Sequence, residues 1–238
     1  MFAAGQDDFV TDDIGNALEK ANAVAEYADQ RLKAAATGEA FPRPPRILAD
    51  QRDLRFTMAM TAVSQVFTTV LILLVVRRRF GEFAATTGLN RINLGRLWLI
   101  AGLVVLAYAG VYAYSLAAAA TGISWLEPES AVPQAVTRED STLALTGLVT
   151  LLGAPLSEEM FFRGLLFGGF LRWGFWPAAL VSGVLFSGVH FDPGSFLPFI
   201  GIGVLLAWVY WRRGSLWDAV AFHFIFNGTS FAIMVATR

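Results

Sequence analysis

The chain has 238 residues, 55% of them hydrophobic and only 16% charged. A soluble domain carries about 25% charged residues, so the apolar excess directs this chain to a bilayer, and a formal net charge of −1 argues against a nucleic-acid partner. With no cysteine, disulfides, thiolate catalysis and Cys-based zinc sites are excluded.

The start, Met1-Phe2-Ala3-Ala4-Gly5-Gln6-Asp7-Asp8, lacks a basic segment followed by an apolar run, so no cleavable signal peptide is expected and the first span acts as the insertion signal. Thr11 is placed to cap a helix whose first turn carries Asp12 and Asp13. Ile14, Leu18, Ala21, Ala25, Ala28, Leu32 and Ala35 then recur at spacings of three and four, and Gly38 is its stop signal. This stripe is mostly alanine, too weak to fold alone, and reads as a solvated helix resting on a partner or on the membrane surface. Phe41-Pro42-Arg43-Pro44-Pro45-Arg46 is a stiff linker, because each proline fixes φ and removes a donor. Residues 1–50 thus form an extramembrane extension, and 51–238 the transmembrane domain.

Beyond the linker, apolar runs suited to helices alternate with short polar breaks. Spans are expected over about 56–76, 97–120, 143–171, 177–191, 196–211 and 215–236, most of them able to cross a core of about 30 Å at about 1.5 Å per residue. The fold class is an all-α polytopic bundle of about six spans. The fourth and fifth spans are short and separated by Asp192-Pro193-Gly194, a turn signal expected below the membrane surface, shielded by protein. Arg77, Arg78, Arg79, Arg91, Arg96, Arg172, Arg212 and Arg213 all fall in loops on one side, which the positive-inside rule assigns to the cytoplasm. Arg43, Arg46, Arg52 and Arg55, beside the first span on the other side, weaken that assignment.

Three spans carry ionisable groups that are costly in lipid and therefore mark a functional site. Glu158 lies fourteen residues from Arg172, His190 fourteen from Trp176, and His223 ten from Arg213. At about 1.5 Å per residue these are depths of roughly 21, 21 and 15 Å from one face. Span length alone does not require that agreement. Both histidines of the chain are in this set.

Glu158 and Glu159 are neighbours and point about 100° apart on a helix, so they have different jobs. Glu159 and Arg163 are four apart with the acid first, the favourable order for an ion pair, and are assigned structural support. Glu158 is left to do chemistry as a general base, its pKa expected to rise by burial. Pro155 removes a helical hydrogen bond just before it. His223 and Asn227, four apart on the last span, can polarise a carbonyl and stabilise an oxyanion. Alternatively, Glu158, His190 and His223 serve as ligands of a zinc ion that carries the attacking water. Phe186, one turn before His190, is expected to pack beside the imidazole.

Glu-Glu-x-x-x-Arg at 158–163, Phe-x-x-x-His at 186–190 and His-x-x-x-Asn at 223–227, in that order, resemble the motif set of the CPBP intramembrane proteases. That family includes the type II CAAX prenyl proteases and bacterial bacteriocin-processing or immunity proteins. The resemblance covers about 143–236 and keeps every motif position. It implies a helical membrane fold and a glutamate-activated water attacking a peptide bond. Catalysis falls to Glu158, His190, His223 and Asn227, with Glu159 and Arg163 in support. Members are named metalloproteases, which leaves a divalent metal, zinc, and a direct oxyanion role for the histidines as open alternatives.

The expected protein is therefore a multi-pass intramembrane endopeptidase of a prokaryotic cell membrane. Its substrate is a membrane-embedded or lipidated peptide, of which a prenylated CAAX-type protein is the family's named example, and its other partner is the bilayer. Three competitors stand beside it. They are a serine protease using Ser187 or Ser182 with His223, a non-catalytic membrane partner or bacteriocin-immunity protein that retains the fold, and a transporter using the cluster as a proton relay.

Overall fold

The computed structural model describes residues 7–39, 42, 51–91, 97–128 and 132–237, and all regular elements among them are helical. The first helix, α1, runs Asp7–Thr37. Thr11 therefore lies inside it, a correction to the expected cap. The helical backbone is already formed four residues before Thr11, at Asp7. Gly38 ends the helix as expected, with φ +72°, and the Glu39 amide bonds back to the Ala34 carbonyl at 3.0 Å, the six-to-one closure that a left-handed residue after the last turn permits. Of the proline-rich linker expected over 41–46, all but Pro42 lies outside the described residues.

Helix α2 spans Gln51–Val76 and, after a tight turn of three arginines, continues as α3, Phe80–Thr87. Helix α4 is Leu97–Thr121. A helical run over 140–173, called α5, follows, then α6 (Phe175–Gly188), α7 (Phe196–Arg213) and α8 (Leu216–Ala236). The segments Gln51–Thr87, Leu97–Thr121, Phe196–Arg213 and Leu216–Ala236 are long and apolar enough to cross a bilayer. Large side chains such as Val63, Val66, Phe67, Val75, Leu106 and Tyr112 point outward from them. In water such a surface would aggregate; in lipid it is at home. With its 14 residues, α6 reaches only about 21 Å, short of a core of about 30 Å. In the turn after it, Asp192-Pro193-Gly194, Gly194 and the following Ser195 are buried. There Asp192 accepts from the amides of Gly194 and Ser195, both at 3.2 Å.

The core is built from α4 to α8 with Ile72 of α2, and Ile100, Phe167, Ala179, Phe186, Leu206 and Phe222 are among its buried members. Two corners fix the ends. At the arginine-rich end, Ser215 Oγ donates to the Arg91 carbonyl at 3.0 Å and the Trp217 indole to that of Leu89 at 2.7 Å. At the other, Gln51 Nε2 donates to the Ala135 carbonyl at 2.7 Å, and Arg31 of α1 lies 3.7 Å from Asp192. That contact sets the N-terminal helix against the turn that follows His190.

The run α5 is not one regular helix. It is π-helical over Leu148–Gly153, α-helical over Ala154–Glu158 and π-helical again over Glu159–Phe167. Pro155 stands between the two widened segments, where it has no N–H to give. Widened turns of this kind occur frequently at functional sites, and both flank Glu158.

Candidate active site

The second π-helical segment buries Glu159 and Arg163 completely, each at 0% exposure. Their ion pair is the one expected, with Arg163 Nη1 3.0 Å from Glu159 Oε1. Burial of such a pair is tolerated only if further contacts satisfy it, and two neighbouring helices supply them. Arg163 Nη2 donates to the Gly203 carbonyl of α7 at 3.2 Å, and the guanidinium sits 4.5 Å above the Phe186 ring of α6, a cation–π contact strengthened by exclusion of water. The Gly203 carbonyl is reachable because α6 and α7 approach closely: a Cβ on Gly203 would lie 2.7 Å from the Gly183 Cα.

Glu159 has a second role that its spacing to Arg163 did not reveal. His223 Nδ1 lies 2.8 Å from the same Oε1. A carboxylate paired with an arginine only accepts, so Nδ1 carries the hydrogen and Nε2 keeps a lone pair when the ring is neutral. His190 is set the same way. Its Nδ1 is 2.7 Å from the Phe186 carbonyl, which can only accept. Both imidazoles therefore hold the same tautomer and present Nε2. Phe186 lies between them, its ring centroid 5.0 Å from that of His190 and 6.0 Å from that of His223. Phe199 closes the far side of His190 at 4.7 Å. The expected place of Phe186 beside the imidazole is correct, but its reach is wider: one ring touches His190, His223 and Arg163.

Glu158, one residue before this network, is half-buried, and its Oε2 is a buried oxygen with no hydrogen-bond partner. Its charge is close enough to act on Arg163. Buried polar atoms are rarely left this way, and a carboxylate oxygen kept free inside a cluster of polar groups is suited to take a proton. Glu159 Oε2 and Arg163 Nε are also buried without partners, so the polar interior has capacity beyond the bonds its own side chains make.

Asn227 reaches a different part of α5. Its Nδ2 donates to the Thr150 carbonyl at 2.8 Å. That carbonyl has lost its backbone donor. The Ala154 amide, its α-helical partner, bonds to Val149 instead, and Pro155, its π-helical partner, has no hydrogen to offer. One amide hydrogen of Asn227 is thus spent on the helix and one remains.

The serines expected of the serine-protease competitor are committed elsewhere. Ser182 Oγ donates to the Phe162 carbonyl at 2.9 Å and Ser187 Oγ to that of Phe196 at 2.7 Å, so both act as ties between helices. The sequence reading did not find the Gly203 or Thr150 carbonyls, Gly183 or Phe199. Only the small-residue pair could have been suspected, since glycines facing each other let helices approach.

Among the described residues, no three or more His, Asp and Glu side chains form a group able to hold a metal ion. Two Nε2 atoms are presented, and Glu159, not Glu158, is the carboxylate on His223 Nδ1.

The fold and site define an integral multi-pass membrane protein with a buried carboxylate–guanidinium–imidazole network at its centre. Residues 140–229 match the family model of the type II CAAX prenyl endopeptidases, Rce1-like. The matched segment contains Glu158, Glu159, Arg163, His190, His223 and Asn227. The chain is 27% identical over 179 residues, 75% of its own length and 72% of the other's, to "Putative membrane peptidase YdiL" of Bacillus subtilis (strain 168). It is 32% identical over 76 residues to "UPF0177 protein YaiF" of Lactococcus lactis subsp. lactis (strain IL1403), covering 31% of this chain and 34% of that one. No solved structure matches.

Proposed function

We propose that the protein is an intramembrane endopeptidase that hydrolyses a peptide bond of a membrane-associated substrate, a lipidated CAAX-type protein being one such class, with water as the nucleophile. The observation that carries this reading is the buried, unpartnered Oε2 of Glu158, one residue before the carboxylate that orients His223, in a core where both imidazoles present Nε2. Glu158 takes one proton from water, and the Nε2 lone pair of His190 or of His223 accepts the water's other hydrogen and aims it. The oxygen adds to the scissile carbonyl carbon. The unspent amide hydrogen of Asn227 meets the oxyanion that develops, as an aimed neutral donor does in a site from which water is excluded. The intermediate then collapses, the C–N bond breaks, and the proton held by Glu158 passes to the departing nitrogen.

Access from the bilayer is supported by a cavity of about 350 Å³ between α2 and α5, lined by Gln65, Val66, Thr69, Val149, Gly153 and Leu156. The cavity borders α5, the run that carries Glu158. The test compares the membrane proteome of cells carrying wild type with that of cells carrying Glu158→Gln. New amino termini that vanish in the variant are expected. An unchanged set, with the variant present at wild-type level, overturns the reading.

A further inference from the structure

We propose a binding site for one anionic phospholipid at the arginine-rich end of the bundle, between α4 and α7. A cavity of about 460 Å³ lies there, within the size range of ligand pockets. Its walls include Trp98, Leu99 and Leu103 of α4 and Trp208 of α7, and Arg212 and Arg213 stand at its end. None of its lining residues is assigned to proteolysis, and the inference does not depend on that reaction.

The occupant follows from the surroundings. Trp98 is 71% exposed and Trp208 39%, on helices long and apolar enough to span a bilayer. The medium at this opening is lipid, and an apolar wall facing acyl chains is filled by one of them. Tryptophan is the residue enriched at headgroup level, so the pair marks where chain gives way to head. Charge then selects the head. Arg213 Nε lies 3.0 Å from Asp218 Oδ2, which engages one edge of its guanidinium. Arg212 is exposed and makes no ion pair among the described residues. Two cations against one anion leave a positive charge over an apolar slot, which complements a phosphate ester with its chain below it. Arg172 ends α5 three residues before Phe175, whose ring lies 5.0 Å from that of Trp211 beside Arg212, so the field there favours an anionic lipid over a zwitterionic one.

Gly102 provides a probe of the slot itself. It lines the cavity, and a Cβ added to it meets nothing within 4 Å, so a large side chain there fills lipid space without disturbing helix contacts. The full chain is reconstituted in nanodiscs of phosphatidylglycerol and phosphatidylcholine in equal parts, extracted into mild detergent and weighed by native mass spectrometry. Wild type is expected to retain one phosphatidylglycerol in preference to phosphatidylcholine, undisturbed by excess inorganic phosphate. Arg212→Gln should cut that preference about fivefold, the factor expected from one arginine near an anionic headgroup. Gly102→Phe should remove the retained lipid whatever its head. Equal retention of the two lipids by wild type overturns the proposal, as does displacement by phosphate. So does a Gly102→Phe protein that melts like wild type and still holds phosphatidylglycerol, or an Arg212→Gln protein with unaltered preference.

Discussion

Glu159 Oε1 is shared by His223 Nδ1 at 2.8 Å and Arg163 Nη1 at 3.0 Å, so the carboxylate that neutralises the buried cation also orients the imidazole. Glu158, its neighbour, has a buried oxygen that no group holds. The two acids are therefore separable by experiment. Glu159→Gln leaves Arg163 with no full counter-charge at 0% exposure, and breaking a buried pair from one side costs about 3–5 kcal/mol. Glu158→Gln gives up no hydrogen bond to Oε2. A large drop in melting temperature in detergent is expected for the first variant. For the second, a melting temperature within a few degrees of wild type is expected together with complete loss of cleavage. Equal destabilisation by both would show that Glu158 is a structural residue.

Arg163 cannot be replaced by lysine. Its guanidinium reaches Glu159, the Gly203 carbonyl and the face of Phe186 at once, and a single ammonium has neither the fork nor the planar surface for that. Arg163→Lys keeps the charge yet should lose on the order of 2 kcal/mol, the scale of a hydrogen bond to a charged group. Thermal denaturation checks it, and a lysine variant as stable as wild type would mean that charge alone matters there.

Asn227 and Pro155 should be coupled. The Thr150 carbonyl accepts from Asn227 because Ala154 has turned to Val149 and proline has no hydrogen. Asn227→Ala leaves a buried acceptor empty, at about 1–3 kcal/mol. In a Pro155→Ala background a backbone amide is restored one turn away and can take up that carbonyl, so the same asparagine change should cost less. A double-mutant cycle measures the difference, expected at about 0.5–3 kcal/mol for groups sharing one partner. Strictly additive losses would show that the proline does not create the vacancy.

Much of this arrangement was legible in the sequence, and the portion that was not has a common cause. The Glu159–Arg163 pair follows from a spacing of four and a favourable order. The tie of Gly38 to the end of α1 and the turn at Asp192 follow from local backbone chemistry. The polar groups of three spans could be set at similar depth by counting residues from one face. Contacts between helices were out of reach, because rotation about a helix axis is fixed by packing and not by period. Counting could not tell which acid His223 would face, and it is Glu159. It could not show that Asn227 would spend a hydrogen on Thr150, which depends on a helix that widens around Pro155. The Thr11 cap failed for a simpler reason: a weak alanine stripe has no sharp beginning.

The closeness of α6 and α7 can be tested at three glycines. Gly203 presses against Gly183, where its Cβ would lie 2.7 Å from the facing Cα, a backbone atom that cannot swing aside. Gly183 is less confined, its Cβ 3.1 Å from the Ile200 carbonyl, and Gly201 on the same helix has nothing within 4 Å. Gly203→Ala must separate the two helices, and in doing so it draws the Gly203 carbonyl away from Arg163. A loss of about 1–3 kcal/mol is expected from overpacking alone. Gly183→Ala should cost less, since a shift of a few tenths of an ångström relieves it. Gly201→Ala should be neutral or stabilising by about 0.5–1 kcal/mol, because alanine restricts the unfolded chain and favours the helix. The order of melting temperatures, 201 above 183 above 203, is the measurement. If Gly203→Ala matches wild type, the helices are farther apart than described, and the Gly203 carbonyl is not what holds the buried arginine in place.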